Sequence, residues 1–441
     1  MKKPTRAWFL LLIPLVILLG ALIYRIPFVN DRLSWRIEDL KTRVIYLFNP
    51  PSEAIFIPVG GTTEATPDFA LVPDTPEPEL EITPTPTESG PEITSTPLPG
   101  QVILDDIVYV HQHERWNYCG PANLAMALNF WGWPGDRDDI ARVVKPGIND
   151  PKLNFTQQGR LDKNVMPSEM ITFVAEHTDY YIVVRHGGDL ELLKKMIANG
   201  FPVLVEKGYY EEDYTGKVAW LGHYLFTTGY DDEAEEFVVQ DAYLEPGKNM
   251  RVDYQTYEEG WRSFNYLFMV IYPLEEQETV LSLLGEWSIP NWSYIHALEV
   301  AEEEILTTSG VNNFFAWFNK GTSLVKLERY LDAADAFDQA YQIYEGLLND
   351  DATRPYRITW YQTWPYMAYY FSGRYQDVIN LANFTLDTIA EPTLEESLYW
   401  RGLAYYALGK KALAQSDLYQ AVWLNPNFEA ALIQLNQLDF E

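Results

Sequence analysis

Cys119 is the single cysteine of the chain, and it stands where a helix is expected to begin. In YCGPANLAMALNFWGW, Pro121 suits a first helical turn. Leu124, Ala127, Leu128 and Trp131 then recur at helical spacing, and Gly132 with Pro134-Gly135 closes the run. A thiol at a helix N-terminus meets unpaired backbone N–H groups and the positive end of the helix dipole. Both favour thiolate, the nucleophilic form. Without those flanks a lone cysteine reads as a small buried hydrophobe.

A thiolate nucleophile needs a base, and the chain offers His111, His113, His177, His186, His223 and His296. His223 opens GHYLFTTGYDDEAEEFVVQDAY. Tyr224–Tyr230 and Phe237–Gln240 have strand composition, and Asp231–Glu235 between them is turn-like. A hairpin turning near residue 232 or 233 sets His223 opposite Asp241, within two residues. Opposed residues share a face, so an imidazole and a carboxylate come together locally. Such a carboxylate fixes the imidazole tautomer and stabilises imidazolium. Asp231 and Asp232 fall in the turn itself and read as solvated. His177 ends a helix and His186 precedes Gly187-Gly188, so both read as structural. His111 and His113 could ligate a metal, but no partner cluster stands at ligand spacing, so no metal or cofactor is expected.

HQHERWNYCGPANLAMALNFWG, GHYLFTTGYDD and VVQDAY together resemble the papain-like bacteriocin-processing cysteine peptidases and their stand-alone relatives, over about residues 104–273. The resemblance implies an α+β papain-like domain with Cys119 as nucleophile, His223 as general base and Asp241 as its orienter. It also implies that Gln112 serves the oxyanion hole, where an amide N–H faces developing negative charge. Gln112 is an ordinary strand or loop amide on the alternative reading. Two departures from the family pattern stand out: Gln112 lies seven residues before the cysteine, one more than in the transporter-fused members, and Ala242 replaces a frequent proline. No Gly-rich phosphate loop ending in Lys-Ser or Lys-Thr is present, so the chain is not a complete bacteriocin transporter.

The segments between Cys119 and His223 suit such a domain. Pro167–Glu176 reads as a helix with Ser168 near its cap, and Tyr180–Val184 as a strand. Asp189 caps Leu190–Ala198, Gly200 closes that helix, and Pro202–Val205 reads as a buried strand.

From about residue 309 the pattern turns helical and self-similar. Trp317, Gly321, Leu324, Tyr330, Ala333, Phe337 and Ala340 match a tetratricopeptide repeat. Tyr369, Gly373, Tyr375, Val378 and Ala382 fit a second copy. Gly402, Tyr405, Gly409, Ala414, Leu418, Ala421 and Pro426 fit a third. An insertion near Asp350–Tyr356 widens the first spacing, and Phe428–Leu438 reads as a capping helix. The expected architecture is therefore an α+β papain-like domain followed by an all-α tetratricopeptide-repeat solenoid, with a possible protein partner on the repeats. Tyr361, Trp364, Tyr366, Tyr369, Tyr370, Tyr399, Tyr405 and Tyr406 read mainly as inter-helix core, with some lining a groove beside the catalytic domain.

Residues 7–24 are apolar and uncharged, which predicts an N-terminal transmembrane signal-anchor helix, uncleaved for want of a small-x-small site. Leu33, Ile37, Leu40, Val44 and Phe48 give an amphipathic helix beyond it, lying on headgroups or packed on the next domain. Residues 60–100 contain 9 Pro, 9 Thr and 8 acidic residues with no Lys or Arg, and read as a disordered spacer holding the folded part off the membrane. The expected divisions are 1–24 tip and anchor, 25–59 juxtamembrane, 60–100 linker, 101–275 peptidase-like domain, 276–308 connecting helix and 309–441 repeats.

The 441 residues carry a formal charge of −31, and the 341 beyond residue 100 carry −27. So acidic a body repels phosphate backbones, which argues against nucleic-acid binding. The sequence thus points to a single-pass bacterial-type membrane protein with an extracytoplasmic cysteine peptidase domain acting on a peptide or protein substrate. An inactive papain-like scaffold, or an acyl transferase using the same triad, are the alternatives.

Overall fold

The computed structural model describes residues 7–48, 55–60, 97–148, 150, 152–159, 164–212, 218–347, 354–389 and 393–438. The first expected division's tip and most of the 60–100 linker lie outside these residues, as does much of the insertion after residue 347.

Seven strands form one antiparallel sheet: β1 (Gln101–Ile103), β2 (Tyr180–Arg185), β3 (Val203–Glu212), β4 (Val218–Asp231), β5 (Glu236–Gln240), β6 (Met250–Asp253) and β7 (Phe268–Pro273). Their order is β2-β7-β3-β4-β5-β6, with β1 also on β4. The first strand flanking the expected turn, β4, is longer than composition suggested, because it pairs β3 along ten residues, from Val203↔Thr227 to Glu212↔Val218.

Side chains alternate across this sheet. Leu204, Phe226, Met269 and Ile271 join the core under α3 (Cys119–Phe130), α4 (Arg137–Val144) and α6 (Pro167–His177), with the short α5 (Phe155–Gln158) between the last two in sequence. Val203, Val205, Leu225, Val270 and Tyr272 join the opposite core, under α7 (Leu190–Ala198), α8 (Tyr254–Arg262) and α9 (Gln277–Leu284). The sheet is thus buried on both faces, an α+β architecture. Asp189 caps α7 by accepting from the Leu192 N–H at 2.7 Å, as its sequence position implied. Helix α6 differs: its cap is Met166, whose N–H donates to Glu169 at 2.6 Å, and Ser168 lies inside the first turn.

The helical array follows: α10 (Pro290–Thr307), α11 (Gly310–Lys326), α12 (Tyr330–Gly346), α13 (Ile358–Tyr361), α14 (Trp364–Phe371), α15 (Tyr375–Asp387), α16 (Glu395–Ala407), α17 (Lys411–Leu424) and α18 (Glu429–Gln437). The packed helix pairs α11/α12, α14/α15 and α16/α17 coincide with the three stretches that read as repeats. Gly321 shows why a small residue is needed: a Cβ there would stand 2.7 Å from the Phe337 ring. Tyr366, Tyr369, Tyr370 and Tyr399 are buried between helices, as read, whereas Tyr361 leaves the array to meet the sheet.

At the N-terminus, α1 (Ala7–Tyr24) and α2 (Pro27–Phe48) are helical. Leu15, Val16, Leu18, Leu19, Leu22 and Ile23 are exposed. Among the described residues no helix is long and apolar enough to cross a membrane. Both helices touch the folded body: Asn154 Nδ2 donates to Asn30 Oδ1 of α2 at 2.6 Å, and Gln157 Nε2 to the hydroxyl of Tyr24, the last residue of α1, at 3.2 Å.

Candidate active site

Cys119 is the first residue of α3, and no side chain caps that end. The N–H groups of the first turn are therefore left for the thiol and for whatever binds there. The helix is pinned to the neighbouring strand by Asn123. Its buried Nδ2 donates to the Cys119 carbonyl at 2.9 Å and to the Tyr224 carbonyl on β4 at 3.0 Å. One amide thus ties the cysteine's turn to the residue beside His223.

His223 Nε2 lies 3.1 Å from Asp241 Oδ1. That leaves Nδ1 for Cys119, to which the ring is hydrogen-bonded. Asp241 is held in turn: its Oδ1 also accepts from the Tyr243 and Leu244 N–H groups at 2.8 and 2.9 Å. All three side chains are nearly enclosed, with Cys119 8% exposed and His223 and Asp241 4% each.

The sequence expectation for this pair holds by a less direct route. Asp241 lies one residue past β5, not opposite His223. Near the turn, Asp231 pairs Glu236 and Gly229 pairs Val238. Continued unbroken, that register would set Asp241 opposite Phe226, on the wrong face. A bulge between Thr227 and Gly229 shifts it, so that Thr227 pairs Val239 and Phe226 pairs Gln240. Asp241 then falls beside Leu225 on the His223 face, as a diagonal neighbour. Leu104 N–H donating to Thr228 O at 2.8 Å, and Gln240 Nε2 donating to Thr228 Oγ1 at 2.9 Å, occupy the bulged residue's polar groups.

Burial opposes ionisation of Cys119. The hydrogen bond and charge of His223 outweigh it, aided by the Tyr224 and Gly120 backbone, and the thiol is held below its ordinary value. Burial likewise disfavours imidazolium, but the charge and hydrogen bond of Asp241, with Cys119 beyond, raise His223 to about 10. Asp241, pushed up by burial, is drawn down to about 2 by His223 and its two backbone donors. Each shift favours the charged form: thiolate at Cys119, imidazolium at His223 and carboxylate at Asp241.

Gln112 is brought to the same place. Its N–H donates to the Ala242 carbonyl at 2.7 Å, and the Tyr109 hydroxyl donates to the Asp241 carbonyl at 2.7 Å. The Gln112 amide oxygen is buried and has no hydrogen-bond partner among the described residues. Arg137 anchors the loop by donating to the carbonyls of His111 and, at 3.0 Å, His113. No three side chains of metal-ligating type converge among the described residues. His177 stacks on Phe173, and His186 is buried against Tyr294, both away from the thiol.

Three further residues frame the imidazole. Tyr209 and Tyr243 stand edge-on to it at 5.6 and 6.3 Å. Tyr361, from α13, lies against Trp220 at 5.8 Å and over Gly222, where an added Cβ would stand 2.8 Å from its ring. Burial and, after a lowering contribution from Arg357, the charge of Cys119 raise its phenol pKa. Tyr243 was within reach of sequence reasoning, two residues past Asp241. Asn123 reads from sequence as an ordinary helical polar residue, and nothing local marks Tyr209.

Residues 104–269 match the model of the Peptidase_C39 like family, and residues 395–428 match a tetratricopeptide repeat model. Among solved structures, a "putative C39-like peptidase" from Bacillus anthracis is 19% identical, aligning 39% of this chain with 97% of that one at a TM-score of 0.30. Xylellain, a cysteine protease from Xylella fastidiosa, is 16% identical over 40% of this chain and 87% of that one, at 0.27. No curated protein matches. The chain thus carries a stretch similar to the peptidase C39-like family over residues 104–269, which include Cys119, His223 and Asp241, and one similar to a tetratricopeptide repeat over residues 395–428.

Proposed function

We propose that this protein is a membrane-anchored cysteine peptidase whose catalytic domain faces away from the cytoplasm. The observation that carries the reading is His223, held between Cys119 at a helix start and a buried Asp241. The Cys119 thiolate adds to a peptide carbonyl, forming the S–C bond. The oxyanion is met by the Cys119 N–H and the Gln112 amide. His223 gives its proton to the departing amine as the C–N bond breaks. It then takes a proton from water, which attacks the thioester, releases the carboxylic acid and restores the thiolate. Asp241 holds the imidazole orientation throughout.

The anchor reading rests on the uncharged run of residues 7–24, and the orientation on the signal-like layout of that run after Lys2, Lys3 and Arg6. The repeats are read as a protein-binding module, since stacked helix pairs present extended grooves.

Incubation of the purified chain with a mixed peptide library, with products read by mass spectrometry, tests the activity. Peptides gaining water on cleavage are expected, with loss in Cys119→Ala and His223→Ala variants. Amide products from an added amine would instead assign acyl transfer. No turnover together with slow iodoacetamide labelling would assign an inactive scaffold.

A further inference from the structure

Residues 55–60, which precede the acidic linker, lie without regular secondary structure on the repeat module. Their exposure alternates: Phe56 is 3% exposed, whereas Ile55, Ile57 and Val59 are exposed. The Phe56 ring enters a pocket made by helices of the first two repeats. It meets Tyr341 of α12 edge-on at 4.7 Å, Tyr369 of α14 at 6.1 Å and Phe384 of α15 at 6.4 Å. Three residues on, the Val59 N–H donates to Asp377 Oδ1 at 2.8 Å and the Gly60 N–H to Oδ2 at 3.2 Å.

The carboxylate that takes these donors is built into the module. Asp377 is 2% exposed, and Arg374 Nε donates to its Oδ2 at 2.8 Å. Arg374 also grips Asp338 with two hydrogen bonds, at 2.8 and 2.9 Å, and lies over the Tyr369 ring at 4.5 Å. Two carboxylates against one guanidinium leave a net negative charge. Two successive backbone N–H groups complement it, and a side-chain cation is not needed. Pro58 between the anchor and the donors favours the extended backbone and brings no further N–H to satisfy.

We infer that the groove of the first two repeats is a binding site for an extended peptide with an aromatic side chain followed, three and four residues later, by free amide N–H groups, and that residues 55–60 are its intramolecular occupant. The linker has a different role from a spacer under this assignment. Its far end is also fixed, with Pro99 and Gly100 carbonyls accepting from the Tyr230 hydroxyl and Asp232 N–H at 2.7 and 2.8 Å. Both described ends of the linker thus lie on the folded body. A tethered occupant acts at an effective concentration on the order of millimolar, so an outside peptide enters only by outcompeting it.

The full chain in detergent tests this by hydrogen exchange and by anisotropy of a fluorescein-labelled peptide of residues 53–62. In the unaltered protein the Val59 and Gly60 amides are expected to exchange at least 100-fold more slowly than in the free peptide. The Phe56→Ala variant is expected to lose that protection and to bind the added peptide at least tenfold more tightly than the unaltered chain. Asp377→Asn added to Phe56→Ala is expected to weaken the peptide again. Unprotected Val59 and Gly60 amides in the unaltered chain would overturn the assignment, whatever the variants do. So would equal peptide affinity in the unaltered chain and a folded Phe56→Ala variant.

Discussion

The Tyr361 ring, carried by the repeat module, rests on Gly222, the residue immediately before His223. A Cβ at Gly222 would stand 2.8 Å from Tyr361 Cδ1 and 2.7 Å from Phe264 Cζ. With Tyr361 and Phe264 packed there, the active-site strand keeps this position only with a glycine at 222. Tyr361 is partly exposed, so it forms a wall beside the thiol and does not belong wholly to the core.

Gly222→Ala is expected to push Tyr361 and Phe264 aside and to slow iodoacetamide labelling of Cys119 at least tenfold, at a stability cost of about 1–3 kcal/mol. Tyr361→Ala is expected to keep the labelling rate within a few-fold of the original and to admit bulkier acyl groups. Second-order labelling rates, thermal unfolding and a peptide series graded in side-chain size check both.

The pH dependence of alkylation follows from the coupled pair. The Cys119 thiol ionises below its ordinary value, and His223 stays protonated to about 10. Labelling is expected to rise at a pH below that of a free thiol, then to hold a plateau and to change again near 10. His223→Ala is expected to move the rise upward, since burial then acts on the thiol unopposed by imidazolium. An identical profile in the two proteins would show that no ion pair exists.

Asn123 is expected to act on chemistry through position. Asn123→Leu removes the donor shared by the Cys119 and Tyr224 carbonyls and leaves the Tyr224 acceptor without it. The expected loss is about 1–3 kcal/mol of stability. Labelling is expected to slow at every pH with the midpoint of its rise shifted upward, because α3 no longer holds the thiol to the imidazole. A stability loss with an unchanged pH profile would mark Asn123 as merely structural.

Stability itself is expected to fall on both sides of neutrality, for opposite reasons. His186 is buried, with Lys326 and Arg185 nearby, and its pKa is lowered from 6.5 to about 3. Its contribution is full above 6.5 and is lost as pH falls towards about 3. His223 is raised from 6.5 to about 10, so its contribution is full below 6.5 and is lost as pH rises through about 10. Asp241, lowered from 3.8 to about 2, adds a further loss as pH falls through that window. Urea unfolding across pH checks this: His186→Gln is expected to flatten the limb between 6.5 and 3 and to leave the alkaline one.

Much of the site was legible because it is written in short-range patterns. The helix start at Cys119 depends on Pro121 and on an apolar stripe a few residues long. The hairpin depends on adjacent runs of β-formers. The repeats depend on small and large residues at set spacing. Each is a local preference that the folded chain then keeps.

What the sequence determined by itself is which residues carry the chemistry and which elements carry them: Cys119 on a helix, His223 and Asp241 at one hairpin, and three helix pairs behind. What only the tertiary structure decided is how these meet. The Thr228 bulge sets which face Asp241 takes, and a one-residue shift in register reverses a strand's faces. Asn123 bridges elements 101 residues apart, and Tyr361 reaches Gly222 from another module. Phe56 finds Tyr341 across most of the chain. Such contacts arise from shape and burial after the chain has collapsed, and no local spacing encodes them.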